Sequence, residues 1–147
     1  MGGEQAGGGM IRKVFVIKSE SRYLKPLRNK LNQFLKRIGF TKRDRQMLLI
    51  AVGEVCTNAI RHAYRGERGR KIRVSVIDSD RKTVFRIRDY GHKIKLSKVK
   101  TPKLPPTKPH GLGIYLVKTI ADELKYNNRH ARGNEFILTK YKREKRL

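Results

Sequence analysis

The segment that most constrains the fold is the apolar stretch at residues 47–59, in a chain otherwise dominated by charge. Apolar residues fall on most sides of a helix over this stretch, so much of that helix must be buried. Thr41, followed three residues later by Asp44, is typical of a helix N-terminus. The helix is predicted to run from there to about Tyr64, and it needs other elements packed around it.

Composition limits what those elements can be. The 147 residues are enough for one domain, with 37% hydrophobic and 33% charged residues. A net charge of +25 favours an anionic partner such as a nucleotide, a nucleic acid, an acidic protein surface or anionic lipid. The single cysteine, Cys56, excludes an intrachain disulfide and fits a core position. No stretch is long and apolar enough to predict a membrane span.

Periodicity predicts the remaining elements. In chain order these are a strand at 11–17, a helix from Tyr23 to Ile38, the helix above, strands at 72–76 and 84–87, a Pro- and Lys-rich loop at 92–110, a helix at 111–124, and strands at 124–129 and 135–141 joined by a turn at Gly133 and Asn134. This order predicts an α/β (α+β) two-layer sandwich, with a mixed, mostly antiparallel sheet and helices on one face. Residues 1–9 are expected to be a disordered leader or cloning remnant, 10–142 the domain, and 143–147 a basic tail.

Two polar residues interrupt the apolar helix. Glu54 and Asn58 are four residues apart and therefore share a face, and His62 continues the row. They are either satisfied polar groups at the edge of the core or a functional pair. In the second case Asn58 offers its carbonyl oxygen to a hard cation, while Glu54 acts as a base or orients water.

Two glycine motifs follow in the chain. Asp89 and Gly91 end a strand, where an aspartate can accept a hydrogen bond from an amine such as that of adenine and a glycine permits close approach. Gly111, Leu112 and Gly113 open a helix, and N–H groups there bind phosphate well. Each motif is also explained by an ordinary turn.

Taken in order, these motifs have a specific resemblance. E-V-C-T-N from Glu54, D-Y-G from Asp89 and H-G-L-G from His110 resemble the GHKL (Bergerat-fold) ATP-binding superfamily. Within it the chain is most similar to the small bacterial anti-sigma-factor serine kinases, also called switch-protein kinases. The resemblance extends over about residues 10–141.

The resemblance implies a role for each motif residue. It implies that Asn58 coordinates Mg²⁺, that Glu54 is the catalytic base, and that Asp89 binds the adenine amine of ATP. It implies that Gly111 and Gly113 close over the phosphates. The other residues expected to bind the nucleotide are His62, Gly91, Lys93, Leu112 and Asn134.

Three positions depart from the family pattern. Lys93 stands where the motif D-x-G-x-G has its second glycine, and could reach a phosphate or be a residue of the ATP lid. His110 precedes Gly111 where an arginine would be a stronger phosphate contact. Asn134 stands where relatives often carry threonine.

The resemblance also implies partners. Such kinases phosphorylate a serine of an anti-anti-sigma protein of the STAS type, bind a sigma factor, and are usually homodimers in the cytoplasm. One alternative is a non-catalytic module that binds nucleotide, protein or nucleic acid. The charge permits nucleic acid, but the chain lacks an interleaved aromatic–basic pattern, a helix-turn-helix and a zinc signature. A histidine-phosphorylating sensor domain is disfavoured because no dimerisation helix with a substrate histidine precedes Leu24.

Overall fold

The computed structural model describes residues 4–6, 9–95 and 112–142, and these form one sheet and a layer of helices. The elements are β1 (Glu4–Ala6), β2 (Met10–Lys18), a 3₁₀ turn (Ser21–Tyr23), α1 (Leu24–Arg37), α2 (Lys42–Asn58), a π-helix (Ala59–Ala63), β3 (Lys71–Asp78), β4 (Lys82–Asp89), α3 (Leu112–Ile120), β5 (Glu123–Tyr126) and β6 (Asn134–Tyr141). Most of the predicted ATP lid, with His110 and Gly111, lies outside the described residues, as does the predicted basic tail.

The sheet has six strands in the order β1-β2-β3-β4-β6-β5. Every strand pairing is antiparallel, so the sheet is not mixed. Along β2, Phe15 is buried and packs edge-to-face on Phe34 of α1, whereas Val14 and Val16 are exposed on the opposite face. The two-layer sandwich with helices on one face is therefore confirmed.

Helix α2 supplies much of the core. The side chains that it buries are Leu48, Ala51, Val52, Val55 and Cys56. Burial raises the pKa of the Cys56 thiol to about 12, as expected of a core cysteine that stays protonated. The predicted cap is present, because Thr41 Oγ1 accepts a hydrogen bond from the Asp44 N–H at 3.2 Å. None of the helices in the described ranges is long and apolar enough to cross a membrane.

Several element bounds differ from those predicted. Helix α2 ends at Asn58 and continues as the π-helix to Ala63, instead of running to about Tyr64. Glu4–Ala6 pairs with β2, although residues 1–9 were predicted to lie outside the fold; this adds a strand to an otherwise open edge. Helix α3 ends at Ile120, and Leu124 belongs to β5, which ends at Tyr126. Asn134 is the first residue of β6 rather than part of a turn, because it pairs in register with Asp89 of β4.

Candidate functional site

The end of α2 carries the first pair of predicted site residues. Glu54 and Asn58 lie four residues apart on α2, and both are partly buried. The π-helix Ala59–Ala63 begins directly after Asn58, and the Tyr64 N–H donates to the Ala59 carbonyl at 2.9 Å. Single π-helical turns are frequent at functional sites. The side chain of His62 in this turn is exposed.

The first turn of α3 lies directly against this pair. A Cβ placed on Gly113 would be 2.9 Å from Oε2 of Glu54 and 3.8 Å from Nδ2 of Asn58. Because position 113 is glycine, no side chain separates the start of α3 from the carboxylate and the amide. The structure thus brings the third sequence motif onto the first. Gly111 lies outside the described residues, and Leu112 is the first residue of α3.

The second motif, which begins at Asp89, contacts the π-helix that follows Asn58. The His92 N–H donates to the carbonyl of Ala63 at 2.8 Å. Gly91 is buried, and a Cβ there would overlap the same carbonyl. Only glycine fits this close approach of two backbone segments. The Tyr64 hydroxyl donates to the carbonyl of Lys71 and accepts from the Tyr90 N–H at 2.8 Å, which holds β4 to the end of the helix.

Asp89 is 3% exposed and is held by several donors. Its Oδ1 accepts from the Gly91 N–H at 3.0 Å, and the amide of Asn134 donates to Oδ1 at 3.0 Å and Oδ2 at 3.2 Å. Burial raises the pKa of Asp89, while these hydrogen bonds oppose the rise because they stabilise the carboxylate. An aspartate fixed in this way can accept a hydrogen bond from a ligand amine without moving.

Asn134 is fully buried behind Asp89, and protein groups use its whole hydrogen-bonding capacity. Its Nδ2 also donates to the His92 carbonyl at 2.9 Å. Its Oδ1 accepts from the Ile94 N–H at 2.8 Å and from the Tyr126 hydroxyl at 2.6 Å. An amide has two N–H hydrogens and two acceptor lone pairs, so little remains for a nucleotide. The geometry therefore favours a positioning role for Asn134 over the predicted nucleotide contact.

The remaining predicted residue and two unpredicted ones complete the site. Lys93 is exposed between His92 and the buried Ile94, at the end of the described segment. Sequence analysis gave no role to the hydroxyls of Tyr64 and Tyr126. Tyr64 stands at the end of the helix predicted from the sequence and could have been considered, whereas the contact of Tyr126 depends on the pairing of β5 with β6.

The described residues contain no cluster of three or more His, Cys, Asp or Glu side chains able to hold a metal. Mg²⁺ needs no such cluster, because it is usually held by one or two protein oxygens together with water and substrate phosphates. Asn58 offers an amide oxygen beside the start of α3, where N–H groups favour phosphate. The donor set therefore fits a magnesium–nucleotide complex.

Comparison with known proteins shows the family. The family model of the histidine kinase-like ATPase domain matches residues 17–140. The chain belongs to this family. The serine-protein kinase RsbW of Bacillus velezensis is 33% identical over 134 residues, which cover 85% of this chain and 82% of the relative. RsbW of Bacillus subtilis is 30% identical over the same lengths, and RsbW of Listeria monocytogenes is 28% identical over 137 residues, or 88% of this chain and 86% of the relative.

A solved structure shows the same fold. The structure of the RsbU and RsbW domains of Rv1364c from Mycobacterium tuberculosis superposes with a TM-score of 0.63 at 18% identity, over 92% of this chain. This chain spans 34% of that longer one. Both the fold and the GHKL resemblance predicted from the sequence are confirmed, and the chain is a member of the RsbW family of serine-protein kinases.

Proposed function

We propose that this protein transfers the γ-phosphate of ATP to a serine of an anti-anti-sigma protein of the STAS type, and that it also sequesters a sigma factor. The observation that carries the proposal is the position of Gly113 against Glu54 and Asn58. It brings the start of a helix, the Glu54 carboxylate and the Asn58 side-chain amide within a few ångströms of one another. Phosphoryl transfer depends mainly on positioning and charge stabilisation, which these groups can supply.

Glu54 is the proposed base. When the serine hydroxyl attacks the γ-phosphorus, the bond to the β-phosphate oxygen breaks and ADP leaves. The hydroxyl proton passes to a carboxylate oxygen of Glu54. Its partial burial beside α3 keeps the carboxylate close to the phosphates and limits its contact with water.

Asn58 and the start of α3 are proposed to bind the triphosphate. A bound Mg²⁺ would neutralise phosphate charge, and the Asn58 amide oxygen is the protein ligand proposed for it. The backbone N–H groups of Leu112 and Gly113, at the start of α3, are proposed to bind phosphate. Lys93 and His62 remain proposed nucleotide contacts, as does Gly111, which lies outside the described residues.

Asp89 is proposed to select adenine. Its carboxylate accepts a hydrogen bond from the exocyclic amine of adenine, while guanine would present a carbonyl oxygen there and be repelled. Gly91 lets the backbone turn beside the base. Asn134 fixes the carboxylate from behind.

Two variants separate binding from transfer. The test is incubation with γ-labelled ATP, Mg²⁺ and the STAS proteins of the same organism. We expect Asn58→Ala to abolish binding of magnesium–ATP measured by calorimetry. Glu54→Ala should keep ATP binding but lose serine labelling, and Glu67→Ala at an exposed glutamate should change neither. Undiminished labelling by the Glu54 variant contradicts the proposed base.

The partners and assembly belong to the same proposal. We expect a homodimer in the cytoplasm that binds a sigma factor. Analytical ultracentrifugation of the full chain, with and without the sigma factor, tests the assembly.

The alternative, a non-catalytic regulatory module, is favoured only by the net charge of +25. Salt-dependent binding of random DNA without ATP binding would support that alternative.

A further inference from the structure

Next to Glu54, α2 exposes two large apolar side chains that the core does not use. Met47 is 38% exposed and Ile50 is 44% exposed, although the opposite face of the helix is buried. Residues 43, 47, 50 and 54 recur at spacings of four and three, so Arg43, Met47, Ile50 and Glu54 lie along one face. Ile50 is one helical turn from Glu54, about 6 Å along the axis. We call Met47 and Ile50 the α2 apolar pair.

The surroundings of Glu54 limit how a protein substrate can approach. Gly113 lies against Glu54, so α3 covers one side of the carboxylate. The phosphoacceptor hydroxyl must come within hydrogen-bonding distance of that carboxylate. A folded protein that places a serine there also covers the neighbouring turns of α2, where the α2 apolar pair is exposed. Apolar side chains of this kind commonly form the centre of an interface.

The charges around the pair indicate what kind of surface it meets. Arg43 is exposed on the same face of α2, and Lys42 is exposed next to it. On the side towards α1, the Arg28 guanidinium lies close to Gly53: a Cβ there would be 3.9 Å from its Nη1. A cationic rim opposes docking of a second copy of a chain with a net charge of +25. It favours an acidic partner.

We infer that the α2 apolar pair is the docking point for the phosphoacceptor protein, which presents an apolar side chain near its serine and acidic residues around it. The inference rests on the proposed role of Glu54 as the base. It assigns the recognition of the protein substrate to α2 itself, one and two turns before the reacting group. Nucleotide binding, in contrast, uses the other end of the helix.

The test is the double variant Met47→Gln/Ile50→Gln, which removes the apolar surface without changing charge near Glu54. Its control is Val16→Gln, because Val16 is 59% exposed on the open face of the sheet. Initial rates of STAS-protein labelling are measured at saturating ATP. The KM for the STAS protein should rise on the order of tenfold in the double variant. The dissociation constant of ATP and the rates of the control should stay unchanged.

The outcomes distinguish this inference from the proposed function. Labelling by the wild type with an unchanged KM in the double variant overturns the inference and leaves the kinase standing. Weaker ATP binding in the double variant also overturns it, because the pair would then belong to the nucleotide site. Absence of labelling by the wild type refutes the proposed function and this docking partner together. A higher KM for Arg43→Gln than for the wild type at low salt, with the difference lost at high salt, supports acidic residues on the partner opposite the cationic rim.

Discussion

At the scale of single residues, Asn134 determines how well the predicted adenine contact is positioned. It holds both oxygens of Asp89 and also the backbone of His92 and Ile94. A threonine at this position would have one hydroxyl and could not hold all of these groups. The amide therefore links Asp89, the proposed adenine-binding residue, to the segment that leads out of β4.

We expect Asn134→Ala to lower the free energy of unfolding by about 3 kcal/mol, because several buried polar groups lose their partner. The affinity for ATP should also fall, since Asp89 is no longer fixed. Urea unfolding and calorimetry measure the two effects. Asn128→Ala, at an exposed asparagine, is the control and should change neither. Unchanged ATP affinity in a folded Asn134→Ala protein would refute the positioning role.

Asp89 also predicts a pH dependence. Burial raises its pKa above the usual 3.8, so the folded state binds this proton more tightly than the unfolded state. The associated stability is present in acid and is lost as the pH rises through the raised pKa. The free energy of unfolding of Asp89→Asn, relative to that of the wild type, should therefore rise between pH 4 and pH 7. ATP affinity of the wild type should weaken in acid, because the protonated carboxyl accepts poorly.

Glu135 is the matched control for this measurement. Burial alone would raise its pKa, but hydrogen bonds from Asn127 and His130 and the charge of Arg86 lower it overall. Its contribution to stability is therefore present above the usual pKa and is lost as the pH falls. The free energy of unfolding of Glu135→Gln, measured with urea, should fall relative to that of the wild type as the pH rises from acid. The same slope for both variants would contradict these assignments.

At the scale of elements, two glycines predict opposite effects on stability. A Cβ at Gly91 would overlap backbone atoms of Ala63 and lie 2.9 Å from Cδ1 of Tyr64. Gly91→Ala should therefore lower stability on the order of 3 kcal/mol, since backbone cannot easily give way. Gly53 lies inside α2, where a Cβ would make only an ordinary van der Waals contact with Nη1 of Arg28 at 3.9 Å, so Gly53→Ala should raise stability by about 0.5–1 kcal/mol. Thermal unfolding measures both, and equal melting temperatures would contradict the packing described here.

Local patterns predicted the elements better than their ends. The strand at 11–17, the cap at Thr41 and the paired strands at 72–76 and 84–87 needed only periodicity and capping chemistry, and the structure contains all of them. The end of α3 at Ile120 was not predicted, because apolar spacing continues through Leu124. The strand predicted at 124–129 is present as β5, but it lies at Glu123–Tyr126. Propensity alone cannot decide where a helix ends and a strand begins, because β5 depends on its pairing with β6.

The sequence predicted which residues form the site better than it predicted the hydrogen bonds among them. Glu54 and Asn58 share a face by helical spacing alone, and Gly113 meets them as the motif order suggested. The bonds of Asn134 depend on its register with Asp89 across β4 and β6, which a single sequence does not show. For the same reason Tyr126 was missed.

At the scale of the whole molecule, charge repulsion is spread over the fold. Arg73 and Arg88 are direct cross-strand neighbours in β3 and β4, and they face the open side of the sheet with Arg86. Like charges directly opposite each other destabilise a strand pair. Among the described residues Glu135 is the acid that pairs with Arg86, at 3.5 Å. This distribution explains why the basic character does not by itself define a binding site.

We therefore expect potassium chloride to stabilise the fold, because screening weakens repulsion in a chain with a net charge of +25. The urea midpoint should rise from low to moderate salt with an unchanged slope. Arg73→Thr should gain about 0.5 kcal/mol at low salt and show a flatter salt dependence, because one of two opposed cations is gone. Potassium sulfate at equal ionic strength separates screening from preferential exclusion of the anion. A midpoint that falls with chloride would mean that ion pairs, rather than repulsion, dominate the surface.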